Sequence, residues 1–274
     1  MSHEHESEKK LETAVHALLP MLGMLFIQMC LNYYFAPQNM IFISPYLLSF
    51  LVVSIVMSVV LWKGQICPGQ RGRLTFVLKF LAVFALGNLA YSYGFTPKHI
   101  PLLLVAVMAV LLPVLYWQDA DEDNLYQTMI YCSFGVAVVA ILQYLAVYWW
   151  EIPSLLNGLR ANNFAQLQLG LLLSGWYLML ANSRLEGFFK LLIQLAILAL
   201  VMNYIWTVFV LYQQVQIMPE TSFVPFILYF VVQFAILAIL AWLLLGKKEK
   251  QIKNPVGWSA ATFLAMLYPL VSIG

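Results

Sequence analysis

Glu151 and Arg160 sit in one short segment, WWEIPSLLNGLRANNFAQ at 149–166, the most polar stretch in a long apolar half of the chain. A guanidinium there could grip a phosphate or carboxylate through its planar fork. General acid–base chemistry wants more than this pair, a second acid or a histidine, and none is near. Outside residues 1–12 the acids are Asp119, Asp121, Glu122, Asp123, Glu151, Glu186, Glu220 and Glu249, all at ends or connections of apolar segments. No carboxylate stands mid-segment, where a proton relay would need one. Ser174 precedes Gly175 as a nucleophile might, but no later segment supplies a histidine to activate it. The run QDADEDNLY (118–126) has the composition of one magnesium-holding motif of membrane prenyltransferases, which require two. A solvated acidic turn is the better reading. Cys30, Cys67 and Cys132 are isolated and form no disulfide or zinc pattern. The sequence therefore implies no metal, no cofactor and no catalytic residues, and an enzyme is the least favoured class.

Neutral polar residues are better placed. Gln28 and Asn32, Asn88 and Ser92, and Tyr229 and Gln233 are i, i+4 pairs, so each pair shares a helix face. Gln143, Gln166 and Asn203 add single groups. An amide in lipid needs a partner, so these faces should turn inward or toward a wet cavity. The sharp expectation is a pocket in the outer half of a membrane. Asn32, Asn88, Gln166 and Asn203 would bind a polar headgroup, Tyr91, Trp149 and Tyr204 would wall it, and Arg160 would hold an anionic group. The plain alternative is that the amides are interhelical glue, worth about 0.6 kcal/mol each, and that the aromatics anchor at headgroup depth.

The elements that must position these residues follow from composition. The chain has 274 residues, 63% hydrophobic and 9% charged, against about 25% charged in soluble domains. Its mean hydropathy is +0.84. The bilayer must be the solvent for most of it. About nine apolar segments are long enough to cross, at 13–36, 41–63, 74–95, 99–117, 127–150, 164–182, 187–212, 222–246 and 255–273. With the N-terminus in the cytoplasm, Lys9, Lys10, Lys63, Arg71, Arg73, Arg184 and the basic run GKKEKQIKNP (246–255) all fall inside. Lys79 and Lys190 can snorkel to the same face. Lys98 and Arg160 fall outside, as does the C-terminus.

The expected architecture is an all-α polytopic transmembrane bundle. Residues 1–12 form a disordered hydrophilic cytoplasmic tail, and 13–274 form a single membrane domain. RLTFVLKFLAVFALGNLAYSY (73–93) aligns without a gap on RLEGFFKLLIQLAILALVMNY (184–204), and Pro45 with Trp62 is spaced as Pro225 with Trp242. These matches point to tandem helical hairpins. The segment after Pro153 has leucines near helical spacing and could lie flat at the outer interface.

The function this supports best is transport or lipid handling, with a neutral polar and aromatic site in the outer half. The alternative is a non-catalytic membrane subunit or assembly factor of a larger complex, and the third is a membrane enzyme on a lipid or polyprenyl substrate with Glu151 and Arg160 as its outer pair. Expected partners are membrane lipids, with anionic headgroups at the basic cytoplasmic face, and a protein partner in the alternative reading. The net charge of +2 gives no reason to expect nucleic acid. The expected location is a bacterial cytoplasmic membrane.

Overall fold

The computed structural model describes residues 2–34, 44–64, 66–95, 123–151, 155–246 and 249–273. Within them the chain is helical, with no strand among the described residues. The order is α1 (Ser2–Tyr34), α2 (Leu47–Lys63), α3 (Pro68–Leu78), α4 (Leu81–Phe95), α5 (Asp123–Glu151), α6 (Leu155–Arg160), α7 (Asn163–Leu180), α8 (Glu186–Ile217), α9 (Val224–Leu245), α10 (Glu249–Ile252) and α11 (Pro255–Met266). A 3-10 helix, Tyr268–Ile273, closes the chain.

Among the described residues five stretches are long and apolar enough to cross a membrane: Ser7–Leu31, Gln127–Ala146, Glu186–Ile217, Val224–Leu245 and Pro255–Ile273. Leu47–Lys63 is a shorter apolar helix. The expected segment 164–182 coincides with α7, which is not among the five because Asn163, Gln166 and Gln168 dilute its apolar run. The expected segment 74–95 is divided at Lys79–Phe80, where Phe80, Ala82 and Val83 make tight i→i+3 backbone bonds. Neither residue is glycine or proline, so nothing local announces that break. The expected segment 99–117 and most of the acidic run 118–126 lie outside the described residues. Helix α1 takes in the hydrophilic residues 2–12 that composition sets apart from the membrane domain.

The chain divides into two units. Unit 1 comprises Met1–Ile27, Ser54–Gln143 and Tyr177–Arg184. Its core holds Met21, Met24, Leu81 and Phe84, all essentially without exposure. Tyr177 donates its hydroxyl to the Ala17 carbonyl at 2.6 Å. Gly87 leaves room for Leu25, whose side chain a Cβ there would meet at 2.6 Å.

Unit 2 comprises Gln28–Val53, Tyr144–Trp176 and Leu185–Gly274. Helix α8 shows why its helices belong in lipid. Phe189, Leu192, Ile193, Ala196, Ala199, Leu200 and Asn203 make one buried stripe. The opposite face exposes Leu198, Val201, Ile205, Val208 and Phe209. A helix that is apolar on both faces is not built for water. Small residues set the spacing inside. At Gly175 a Cβ would meet the Trp258 ring at 2.1 Å, and at Gly170 it would meet Val52 at 2.6 Å. Trp258 also stacks edge-on against Phe189 at 5.7 Å and donates its indole N–H to the Ile252 carbonyl.

Candidate functional site: a buried amide cluster in unit 2

The 149–166 stretch ends in a change of direction between α6 and α7, and that change is where the polar groups gather. Asn162 is the residue before α7, the position that favours Asn, Asp, Ser or Thr because a side-chain oxygen can satisfy the first free N–H groups. Its Oδ1 accepts from the Phe164 N–H at 3.0 Å and the Ala165 N–H at 3.3 Å. Its Nδ2 donates to Asn203 Oδ1 on α8 at 2.6 Å and lies 3.5 Å from Thr207 Oγ1. The Tyr229 hydroxyl on α9 donates to the same Asn203 oxygen at 2.6 Å. Three elements thus converge on one carbonyl oxygen. The other end of the same amide, Asn203 Nδ2, is buried without a hydrogen-bond partner.

Gln166 behaves differently. Its Oε1 accepts from the Leu48 N–H at 2.9 Å, and its Nε2 donates to the Tyr144 hydroxyl at 2.7 Å and the Ala161 carbonyl at 3.2 Å. The Tyr144 hydroxyl continues to Asn163 Oδ1 at 2.9 Å. Every polar atom of that side chain is used within the protein. Its role is to join α7 to the start of α2 and to Tyr144, with nothing left over for a ligand.

Deeper in the unit, more polar atoms are buried without partners: both amide atoms of Gln168, Gln233 Oε1 and Thr262 Oγ1. The alignment of the helices places them. Gly175 on α7 faces Trp258 on α11. Tyr46 and Leu48, at the start of α2, reach Met266 on α11 and Gln166 on α7. The two helices therefore run antiparallel. Gln168 lies two turns from Gly175, and Thr262 lies one turn from Trp258 and one from Met266. On α9, Tyr229 meets Asn203 while Leu243 packs where a Cβ on Gly257 would go, so Gln233, one turn from Tyr229, lies between those levels. The unpaired atoms thus occupy the levels between the Trp258 contact and the Asn203 cluster.

A groove of about 290 Å³ lies between α9 and the closing 3-10 helix, open along the exposed Val224 and Leu228. Leu228, Val232, Leu267 and Val271 make it apolar, and Tyr229 forms part of its wall. One tyrosine therefore both lines an apolar groove and enters the amide cluster with its hydroxyl.

The remaining residues singled out by sequence fall as follows. Arg160 is buried, 6% exposed, and its Nε donates to Ser272 Oγ at 3.3 Å. Burial lowers its pKa from the usual arginine value, which still leaves the group cationic at neutral pH. The Trp206 indole N–H holds the Gly158 carbonyl at 2.9 Å, so α6 is fixed against α8. Tyr204 stacks on Phe230 at 5.5 Å and donates to the Phe230 carbonyl at 3.4 Å. Asn88 belongs to unit 1 and donates to the Phe84 carbonyl of its own helix at 2.9 Å. The side chains of Asn32, Tyr91 and Trp149, and that of Glu151, lie outside the described residues. Among the described residues no group of three His, Cys, Asp or Glu gathers as a metal site.

Asn162, Gln168, Thr207 and Thr262 were not expected at the site. Asn162 carries a signal, an Asn-Asn pair before an apolar run, that marks a helix start. Thr207 is one turn from Asn203 on the same face. Gln168 and Thr262 carry none beyond being polar in apolar helices. The amides and hydroxyls gathered here can bind and orient a polar group by donating and accepting hydrogen bonds.

No solved structure matches this chain. An uncharacterized protein of Haemophilus influenzae is 27% identical over 227 residues, which covers 80% of this chain and 81% of that protein. A family profile described as an integral membrane domain matches residues 5–273, nearly the whole length. With its apolar helices and that match, the chain belongs to the integral membrane domain family.

Proposed function

We propose that this protein is a transporter-like or lipid-handling membrane protein whose ligand is held by the amide cluster of unit 2. The ligand is amphipathic, with a neutral polar head that both donates and accepts hydrogen bonds. The observation that carries the reading is Tyr229, which lines the apolar groove and also bonds Asn203, itself left with an unpaired Nδ2. An unpaired amide in a dry interior costs about 1–3 kcal/mol. A ligand that satisfied these atoms would recover that cost. The reading includes nine spans, an N-terminus in the cytoplasm and a C-terminus outside, in a bacterial cytoplasmic membrane. The lysine and arginine asymmetry supports that orientation, and the Haemophilus relative supports a bacterial setting. The apolar outer faces of α8 and α9 suit direct contact with lipid.

The test is mass spectrometry of the full-length protein extracted into native membrane discs, wild type beside Asn203→Leu. The expected result is one retained amphipathic molecule, near one per chain, that is at least tenfold depleted in the variant. Equal retention in both proteins, or a stoichiometric protein partner and no small molecule, contradicts the reading.

A further inference from the structure

Unit 1 holds a cavity of about 490 Å³, with a different chemistry. Lys9 and Lys10 of α1 and Arg73 of α3 line it, and no acidic residue is among the described residues that do. Its floor is open because Gly69 and Gly72 lie one turn apart on α3, and a Cβ on either would meet nothing within 4 Å. Phe76, Val77 and Leu180 supply an apolar wall on one side. The remaining edge is the end of α7. Asn182 takes the left-handed conformation there, φ 51°, and Ser183 N–H returns to the Leu178 carbonyl at 2.9 Å. Arg73 Nε donates to the Ala181 carbonyl at 3.0 Å, which fixes the guanidinium at the cavity rather than leaving it to wander.

We infer that this cavity is a binding site for the phosphate of an anionic lipid, with the lipid's glycerol and first acyl carbons against Phe76 and Leu180. Three bases line the cavity, no acid is among the described residues that do, and phosphate is the anion that a membrane presents at headgroup depth. The glycines matter because side chains at those positions would fill the volume that the headgroup needs. The apolar wall separates a lipid from a free phosphate, which would gain nothing from it. This site is independent of the amide cluster: it lies in unit 1, takes a charged group, and stands whether or not unit 2 binds a ligand.

The experiment is a native mass spectrometry titration of the full-length protein in mild detergent. Phosphatidylglycerol is compared with phosphatidylcholine of the same chains, with glycerol phosphate as soluble competitor. Each base is worth about fivefold in affinity for an anionic surface. Wild type should prefer phosphatidylglycerol by tenfold or more. Lys9→Gln with Lys10→Gln should remove most of that preference. Gly72→Leu keeps every charge and improves a helix position, so its thermal midpoint should hold while the preference falls to within twofold. Glycerol phosphate at the lipid's concentration should displace nothing. No preference in wild type, or full preference in Gly72→Leu, overturns the site. Displacement by glycerol phosphate overturns the role of the apolar wall.

Discussion

In unit 2 the amide cluster is neutral and interred: Asn162, Gln166, Gln168, Asn203, Gln233 and Thr262 are each no more than 1% exposed, and Arg160 is the one buried cation among the described residues there. In unit 1 the cavity is lined by Lys9, Lys10 and Arg73 at exposed positions of α1 and α3. The difference follows from the cost of desolvation. An amide can be taken out of water for a few kcal/mol and repaid by a neighbouring amide or hydroxyl, whereas an ammonium costs far more. Neutral groups can therefore be placed in the middle of a helix bundle, while a buried charge needs a partner, as Arg160 has in Ser272. The same contrast appears in the glycines. Gly170 and Gly175 are places where another side chain already presses on the backbone, while Gly69 and Gly72 face open space.

The glycine contrast is also the easiest to break. Gly175→Leu forces a side chain into the fully buried Trp258 ring. Overpacking of this kind costs about 1–3 kcal/mol or more, so the variant should show a clearly lowered thermal midpoint or fail to accumulate. Gly72→Leu, by the same measurement, should melt within a degree or two of wild type. A similar loss in both variants would erase the distinction between a packed glycine and an open one.

Next in size is Asn203→Leu. It strands the Asn162 amide and the Tyr229 hydroxyl, and each stranded group costs about 1–3 kcal/mol. Asn203→Leu should therefore lower the midpoint more than Tyr204→Phe, which gives up one long hydrogen bond, 3.4 Å, to the Phe230 carbonyl. Reversal of that order, read by thermal unfolding in one detergent, would contradict the picture of a cluster that also supports the fold.

The smallest effect belongs to Glu186→Gln. Lys253 and Glu186 meet at 2.7 Å, but their side chains are 27% and 40% exposed. Exposed pairs are worth about 0–1 kcal/mol. The variant should be nearly indistinguishable from wild type, and its small effect should vanish at high salt.

Much of the helical framework is legible in the sequence. Segments expected at 187–212, 222–246 and 255–273 return as α8, α9 and α11 with its 3-10 extension, because long apolar runs bounded by polar or proline-containing connections leave little choice. The faces are less legible. A helix that is apolar all round gives no periodic signal for which side is buried, so sequence can mark Asn203 as polar without pointing to its partners. Those partners come from residues 162 and 229, far away in the chain, and spacing rules see only neighbours on one helix. Gln166 and Asn203 look equivalent in sequence, yet one is saturated by the protein and the other is not. Only the packing distinguishes glue from an open site. The division at Lys79–Phe80 is hidden for a different reason: it arises from tightened hydrogen bonding and not from a breaking residue.

The central claim is that the groove beside Tyr229 admits one amphipathic molecule and the lipid-facing side of the same helix does not. A photoreactive diazirine residue at Val232, which lines the groove, can be compared directly with one at Val231, which is 60% exposed. Both are irradiated in native membranes and their adducts identified by mass. The account predicts a single dominant adduct at Val232, lost when Asn203→Leu is added, and a mixture matching bulk lipid at Val231. The same bulk-lipid mixture at both positions would contradict it.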